Sequence, residues 1–371
     1  MKGLCKGQTR RADGINSSVK TIKSVKIFFG VQATGNGHIT RARALASKFR
    51  QTGVEVTYQF TGREREKLFE MEVFGDYRWC SGLTFETQQG HVRYLKTAKK
   101  TNIPAFIQDL ATLDLREFDV VISDFEPVTS WAAVRQGVRT IGIGHQYAFG
   151  YDIPKDGVSL MGVQVLRRFA PVTVGLGVHW HHFGHPILPP IIETVSVPPS
   201  APEHKVVVYL PFEDVYQVVE LLRPFHDHEF SVYSPMQYDE HYPAPEHIQV
   251  KALSRKGFQD DFAAAGGVIC NSGFELTSEA LNWGKKLLVK PLRRQMEQLS
   301  NAKAMEVLRL GQVMQELDGR VVSNWLDKYP RIRVYYPDVA SMVAEWLLGG
   351  VRAIERHWVE SIWDQVDWVR E

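Results

Sequence analysis

The stretch VKIFFGVQATGNGHITRA, residues 25–42, runs from an apolar segment through a glycine turn into an amphipathic one. VKIFFGVQ has the unbroken apolarity of a buried strand, and HITRARALASKFRQTG has helical periodicity closed by Gly53. VEVTYQF follows as the next strand. Strand, glycine loop, helix and strand together open a parallel α/β sheet. Such a loop either cradles a dinucleotide or presents a side chain, here His38, to some other substrate. The dinucleotide fingerprint wants a third glycine where GNGHIT has Thr40. Its ribose-binding acid belongs at the end of the second strand. Glu55 stands near the start of that strand, and Gln59, Phe60 and Thr61 stand at its end. A dehydrogenase does not fit.

Outward from this stretch the alternation continues. FDVVISD is a strand, EPVTSWAAVRQG a helix ended by Gly137, VRTIGIG a strand and PVTVGLGVHW one more. PILPPIIETVSVPPSAPEHK, residues 186–205, then breaks the pattern, because its prolines suit neither helix nor central strand. Alternation resumes with HKVVVYLPF, EDVYQVVELLRPF, HEFSVYS, GGVICNSG, FELTSEALNWG and KLLVKPL, followed by the helix QMEQLSNAKAMEVLRLG. Two successive α/β domains are expected, with the site in the cleft where the strand carboxyl ends face each other.

With 371 residues the chain is long enough for two domains, and its composition is that of a soluble globular protein. A net charge of +2 gives no sign of a nucleic-acid partner. Cys5, Cys80 and Cys270 suggest neither a disulfide framework nor a zinc ribbon, so a reducing cytoplasm is the expected compartment. No apolar run reaches the roughly 18 residues of a membrane span. The first 26 residues carry Lys2, Lys6, Arg10, Arg11, Lys20, Lys23 and Lys26 against Asp13, and lack the apolar core of a secretory signal. They are expected to be a disordered basic extension, with contact to anionic lipid as the sharper alternative.

The second half carries the more specific signal. In NSGFELTSEALNWGKKLLVKPLRRQMEQLSNA, residues 271–302, the small-residue loop Asn271–Ser272–Gly273 precedes a helix and can offer backbone N–H groups to a diphosphate. Glu279, nearly two turns on, can accept both hydroxyls of a ribose. Gln295 and Gln298, one turn apart, can reach sugar hydroxyls. A nucleoside diphosphate sugar has these three parts.

The pattern S-G-x5-E-A-L-x2-G-x4-V-x-P-x3-Q-x2-Q-x2-N-A resembles the donor-binding signature of GT-B glycosyltransferases. Among such enzymes it resembles the peptidoglycan N-acetylglucosaminyltransferase acting on undecaprenyl-linked muramoyl-pentapeptide. With GNGHITRA and SDFEP it looks like a bacterial and archaeal branch of that superfamily, over residues 25–346. Two departures stand out. LPFEDV (residues 210–215) replaces a glycine-rich loop and brings Glu213 and Asp214, which would repel a diphosphate. Lys285 stands where a proline is usual, a change expected to matter little.

The resemblance implies two Rossmann-like domains facing across a cleft. Residues 25–190 would form the acceptor side, 191–204 a proline-rich linker and 205–346 the nucleotide-sugar side. Residues 1–24 would lie outside the fold, and 347–371 would form a C-terminal helix packing back on the first domain. It also implies that His38 is the base that takes a proton from the acceptor hydroxyl. The positive end of a helix favours a neutral imidazole there. Asp124 is expected to orient His38, to serve as base itself, or only to cap the following helix. Gly35, Asn36, Gly37, Arg41, Glu126 and His145 are expected on the acceptor or phosphate side.

The chain contains no D-x-D, so metal-independent transfer is expected, with no cofactor and a nucleotide sugar as co-substrate. HWHHFGH, residues 179–185, looks like a metal tract but abuts the linker and reads as hinge. HVRYLKTAKK, residues 91–100, puts Arg93, Lys96, Lys99 and Lys100 on one helical face, either solvated or set against an anionic acceptor. Trp358, Trp363 and Trp368 fall in a terminal helix, as core packing or as membrane anchors. The expected reaction moves a hexose or N-acetylhexosamine from a nucleoside diphosphate, UDP first, to an acceptor hydroxyl with inversion. The acceptor's kind stays open, with a membrane lipid or cell-envelope glycan among the candidates and peripheral contact at the inner membrane face. A UDP-N-acetylglucosamine 2-epimerase and a non-catalytic nucleotide-sugar binder are the alternatives.

Overall fold

The computed structural model describes residues 25–83, 87–88, 91–92, 102–157, 160–193, 202, 204–239 and 241–370. The basic extension, Arg93 to Lys100 of the basic tract and most of the proline-rich linker lie outside the described residues.

Two parallel sheets make up the molecule. The first contains β1 (Lys26–Gln32), β2 (Glu55–Thr61), β3 (Arg78–Trp79), β6 (Val120–Asp124), β7 (Thr140–Gly144), β8 (Val174–Val178) and β9 (Ile187–Leu188), in the order β3-β2-β1-β6-β7-β8-β9. A small hairpin, β4 (Thr87–Gln88) with β5 (His91–Val92), stands apart from it. The second contains β10 (Lys205–Tyr209), β11 (Glu229–Ser234), β12 (Ile248–Ala252), β13 (Gly267–Asn271), β14 (Lys286–Lys290) and β15 (Gln312–Val313), in the order β12-β11-β10-β13-β14-β15. Both orders reverse direction once, beside the first strand of each sheet. Those reversals open the crevices where doubly wound folds place ligands.

Local chemistry explains the elements around the crevices. β1 is buried on both faces from Ile27 onward, as its apolar run requires of a central parallel strand. The helix Asn36–Thr52 ends at Gly53 with φ +70°, a left-handed conformation that costs glycine nothing. The helix Pro127–Gln136 starts with proline in its first turn and ends at Gly137, also left-handed. Val31 of β1 pairs with Asp124 of β6, so the His38 loop and Asp124 emerge side by side.

One hydrophobic cluster runs through both halves. It joins Phe29, Val31 and Leu176 of the first sheet to Val268 and Val289 of the second and to Phe274 of the helix Phe274–Asn282. The C-terminal segment differs from the single helix expected. The helix Arg356–Trp363 is followed by β17 (Asp367–Arg370), antiparallel to β16 (Ile332–Tyr335). Trp368 therefore lies on a strand that pairs Val334 with Trp368. Trp363 donates from Nε1 to the Ile187 carbonyl at 2.7 Å and packs near His181 and His182 of the first domain.

Candidate active site

Two helices point their N-termini into the space between the sheets. Asn36–Thr52 follows β1 and Phe274–Asn282 follows β13. Each begins at a glycine, Gly35 or Gly273, and neither receives a side-chain cap. Most other helices do: Asn102, Glu126, Asp214, Ser254, Gln295, Asp318 and Asp338 each accept backbone N–H bonds at an N-terminus. Uncapped N–H groups at the positive end of a helix suit an anion.

On the first of these helices, His38 Nδ1 lies 2.7 Å from Asp124 Oδ1. Asp124 is fully buried and accepts two further bonds from Arg41, Nε to Oδ2 at 2.8 Å and Nη2 to Oδ1 at 2.6 Å. Arg41 comes one turn after His38 on the same face, which brings both to the end of β6. Its remaining nitrogen, Nη1, donates to Glu275 on the facing helix. Because Asp124 accepts from Nδ1, the proton sits there and Nε2 carries the lone pair, as in a histidine–carboxylate dyad. The ring keeps 15% of its surface exposed.

The electrostatics follow from these contacts. Burial and Arg41 lower the His38 pKa, but the charge and hydrogen bond of Asp124, with the charge of Glu275, outweigh them and leave it raised above 6.5. The bonded carboxylate favours the imidazolium, acting against the helix end, which favours the neutral ring. Burial raises Asp124, yet Arg41 and His38 hold it below the usual carboxylate value. Arg41, expected to face phosphate, is instead 1% exposed between two carboxylates.

Glu126, expected in the cleft, is buried and caps its helix, accepting from the Val128 and Thr129 amides at 2.7 Å each and from Thr61 Oγ1 at 3.0 Å. Phe125 between the two acids has φ +52°, which turns Asp124 and Glu126 in different directions. The capping role considered for Asp124 thus falls to Glu126. His145 is buried in the joint between domains, 2.9 Å from the Val178 carbonyl and 2.6 Å from Asn301 Oδ1. It stacks on Phe274 at 4.1 Å. Thr34, Gly35 and Asn36 are exposed at the mouth of the cleft. Arg63, not singled out in the sequence, donates to Asn36 Oδ1 and to the Thr34 carbonyl.

On the other side, Asn271 donates to the Lys290 carbonyl at 2.9 Å, and its buried Oδ1 has no partner. Ser272 Oγ donates to the Gln298 carbonyl, and the Gly273 amide donates to the Asn271 carbonyl. The Gly273 N–H is therefore already used, which leaves an anion the amides further into the helix. Gln295 accepts the Gln298 amide and Gln298 Oε1 accepts the Leu292 amide, so each carboxamide keeps its NH2 group for a ligand. Glu279 is pushed up to about 8 by burial first, then by Glu193 and Glu275, with Arg255 opposing. Arg255 itself bridges Glu70 at 2.6 Å and Glu193 at 3.0 Å.

The LPFEDV loop is less hostile to phosphate than its sequence suggests. Glu213 pairs with the buried Lys290 at 2.7 Å, and Asp214 is occupied capping Val215–Leu222. Lys285 is not neutral filler. Its ammonium donates to the carbonyls of Ala263 and Ala265 at the end of the helix Arg255–Ala264. In the histidine tract, Nδ1 of His179, His181 and His182 each accept a backbone amide, from Trp180, Phe183 and Gly184. Among the described residues no group of three or more His, Cys, Asp or Glu side chains is arranged to hold a metal ion. Also among them, no helix is long and apolar enough to cross a membrane.

Two Rossmann-like domains, a histidine–carboxylate pair in one and an uncapped glycine-led helix in the other define a glycosyltransferase of the GT-B fold. Residues 25–158 and 180–330 match the family described as Glycosyl transferase family 1, and the chain belongs to it. Solved structures agree on the fold. The glycosyltransferase SnogD from Streptomyces nogalater is 14% identical with a TM-score of 0.55, over 92% of this chain and 96% of that one. The glycosyltransferase of kitacinnamycin is 14% identical with a TM-score of 0.59, over 91% and 95%. MurG from Acinetobacter baumannii is 12% identical with a TM-score of 0.51, over 88% and 99%. No curated protein matches.

Proposed function

We propose that the protein moves a hexose or N-acetylhexosamine from a nucleoside diphosphate, with uridine the expected base, to an acceptor hydroxyl, inverting the anomeric centre. The observation that carries this is the His38–Asp124 bond at the mouth of a cleft whose far wall is an uncapped helix. His38 Nε2 takes the acceptor proton as the hydroxyl oxygen attacks the anomeric carbon, and the imidazolium that forms is held by Asp124. The leaving diphosphate is met by the helix that begins at Phe274. Glu279 receives the ribose hydroxyls, and Gln295 and Gln298 donate to the sugar. The acceptor is proposed to be a lipid or cell-envelope hydroxyl met at the inner membrane face.

The test is nucleotide release from UDP-, GDP- and TDP-sugars in the presence of membrane lipid extracts, with and without His38→Ala. Release by the native protein from one nucleotide series, lost in His38→Ala, supports the proposal. Equal release by both proteins would contradict the role of His38. Turnover of UDP-N-acetylglucosamine without any acceptor would point to the epimerase.

A further inference from the structure

Glu275 belongs to the second domain, but its carboxylate reaches Arg41 of the first. Arg41 presents its other edge, Nε and Nη2, to both oxygens of Asp124, which in turn accepts from His38. A row of charges therefore crosses the domain boundary: carboxylate, guanidinium, carboxylate, imidazole. Paired with Asp124 alone, the guanidinium would offset part of that carboxylate's field at His38. It would also oppose an imidazolium directly, because Nη2 lies 3.0 Å from His38 Nδ1. A second carboxylate on the far edge of Arg41 restores a net negative balance beside the ring. Glu297, held by Gln146 Nε2 at 3.1 Å, is the other acid whose charge reaches Arg41.

The contact joins residues of the two domains. A Cβ on Gly37 would stand 2.4 Å from Glu275 Oε2, so the carboxylate fills the space that a side chain at this position would need. Resting on the reading of His38 as the base, we infer that Glu275 is a positioning residue. Through Arg41 and Asp124 it makes His38 a strong base only once the two domains have met. Closure then couples the arrival of the donor's domain to the activation of the acceptor's base.

The test is the titration of His38 by NMR in the full chain, with its signal assigned by loss in His38→Gln. Glu275→Gln keeps an acceptor for Arg41 and removes the charge. Its His38 titration is expected to move down by on the order of one pH unit, the scale of a unit charge at short range. Gly37→Ala keeps the charge but displaces it from Arg41, and the shift is expected in the same direction. In nucleotide release, Glu275→Gln should move the acid limb to lower pH and lower the plateau. A uniform loss of rate with an unmoved limb, or an unmoved His38 titration in both variants, would overturn the inference. Calorimetry with UDP-sugars on the same samples keeps the two readings apart. A shifted His38 in a protein that binds no donor contradicts the proposed donor while supporting the coupling between Glu275 and His38.

Discussion

Glu275 Oε2 stands where a side chain on Gly37 would begin, with only 2.4 Å between it and a Cβ built there. Two helix N-termini from different domains thus meet over one glycine. Gly37→Ala should displace the Glu275 carboxylate from Arg41 without harming the helix, since alanine is favoured over glycine in a helix by about 1 kcal/mol. The expected outcome is an unchanged or slightly raised Tm with at least a ~10-fold loss of turnover. A fall in both together would place the glycine's role in folding instead.

Asp124 is fully buried and holds two partners, His38 and Arg41. Asp124→Asn removes the negative charge and puts an NH2 donor beside Nδ1, so the His38 tautomer is no longer fixed and Glu275 is left as the charged partner of Arg41. Turnover should drop by about 10³-fold or more, and stability by about 3 kcal/mol. Because the Asp124 carboxylate ionises below its usual value, the stability it provides is present above the unfolded pKa. It is lost as pH falls through the lower folded value. Denaturant titrations should therefore show a steeper loss of stability in acid for the native protein than for the variant.

Glu279 predicts a pH dependence of donor binding. With its pKa pushed up to about 8, the side chain is largely protonated at pH 7 and presents a poor acceptor to ribose hydroxyls. Affinity for a UDP-sugar, whose diphosphate does not titrate there, should strengthen from pH 6.5 to 8.5. Glu279→Gln should bind more weakly and flatten that dependence, as read by calorimetry at three pH values.

Lys285→Pro should destabilise this chain. The Lys285 amide donates to the Ala280 carbonyl at 2.8 Å, and its ammonium bonds two carbonyls of another helix end. Proline removes all three bonds, and a loss of about 3 kcal/mol is expected in chemical unfolding.

The fold was legible because its central strands are largely apolar, and β6, β7 and β13 end at Asp124, Gly144 and Asn271. Gly35 and His145 follow β1 and β7. β12 was hidden, because IQVKA at the sheet edge mixes exposed and buried positions instead of forming an apolar run. β17 was hidden too, since evenly spaced tryptophans imitate a helix and only pairing with β16 makes DWVR a strand. In the site, His38 and Asp124 could be found because each belongs to a local motif. Glu275 could not, for its partner Arg41 is 234 residues away in the other domain. The capping of Glu126 was a question of which of two neighbouring acids turns inward, and Phe125 decides it through its backbone angle.

The central claim is that the cleft receives a nucleoside diphosphate sugar, and calorimetric titration of the purified protein with UDP, GDP, TDP and their common sugars tests it most directly. The account predicts selective binding of one nucleotide series in the micromolar range. A folded protein that binds none of them would contradict it.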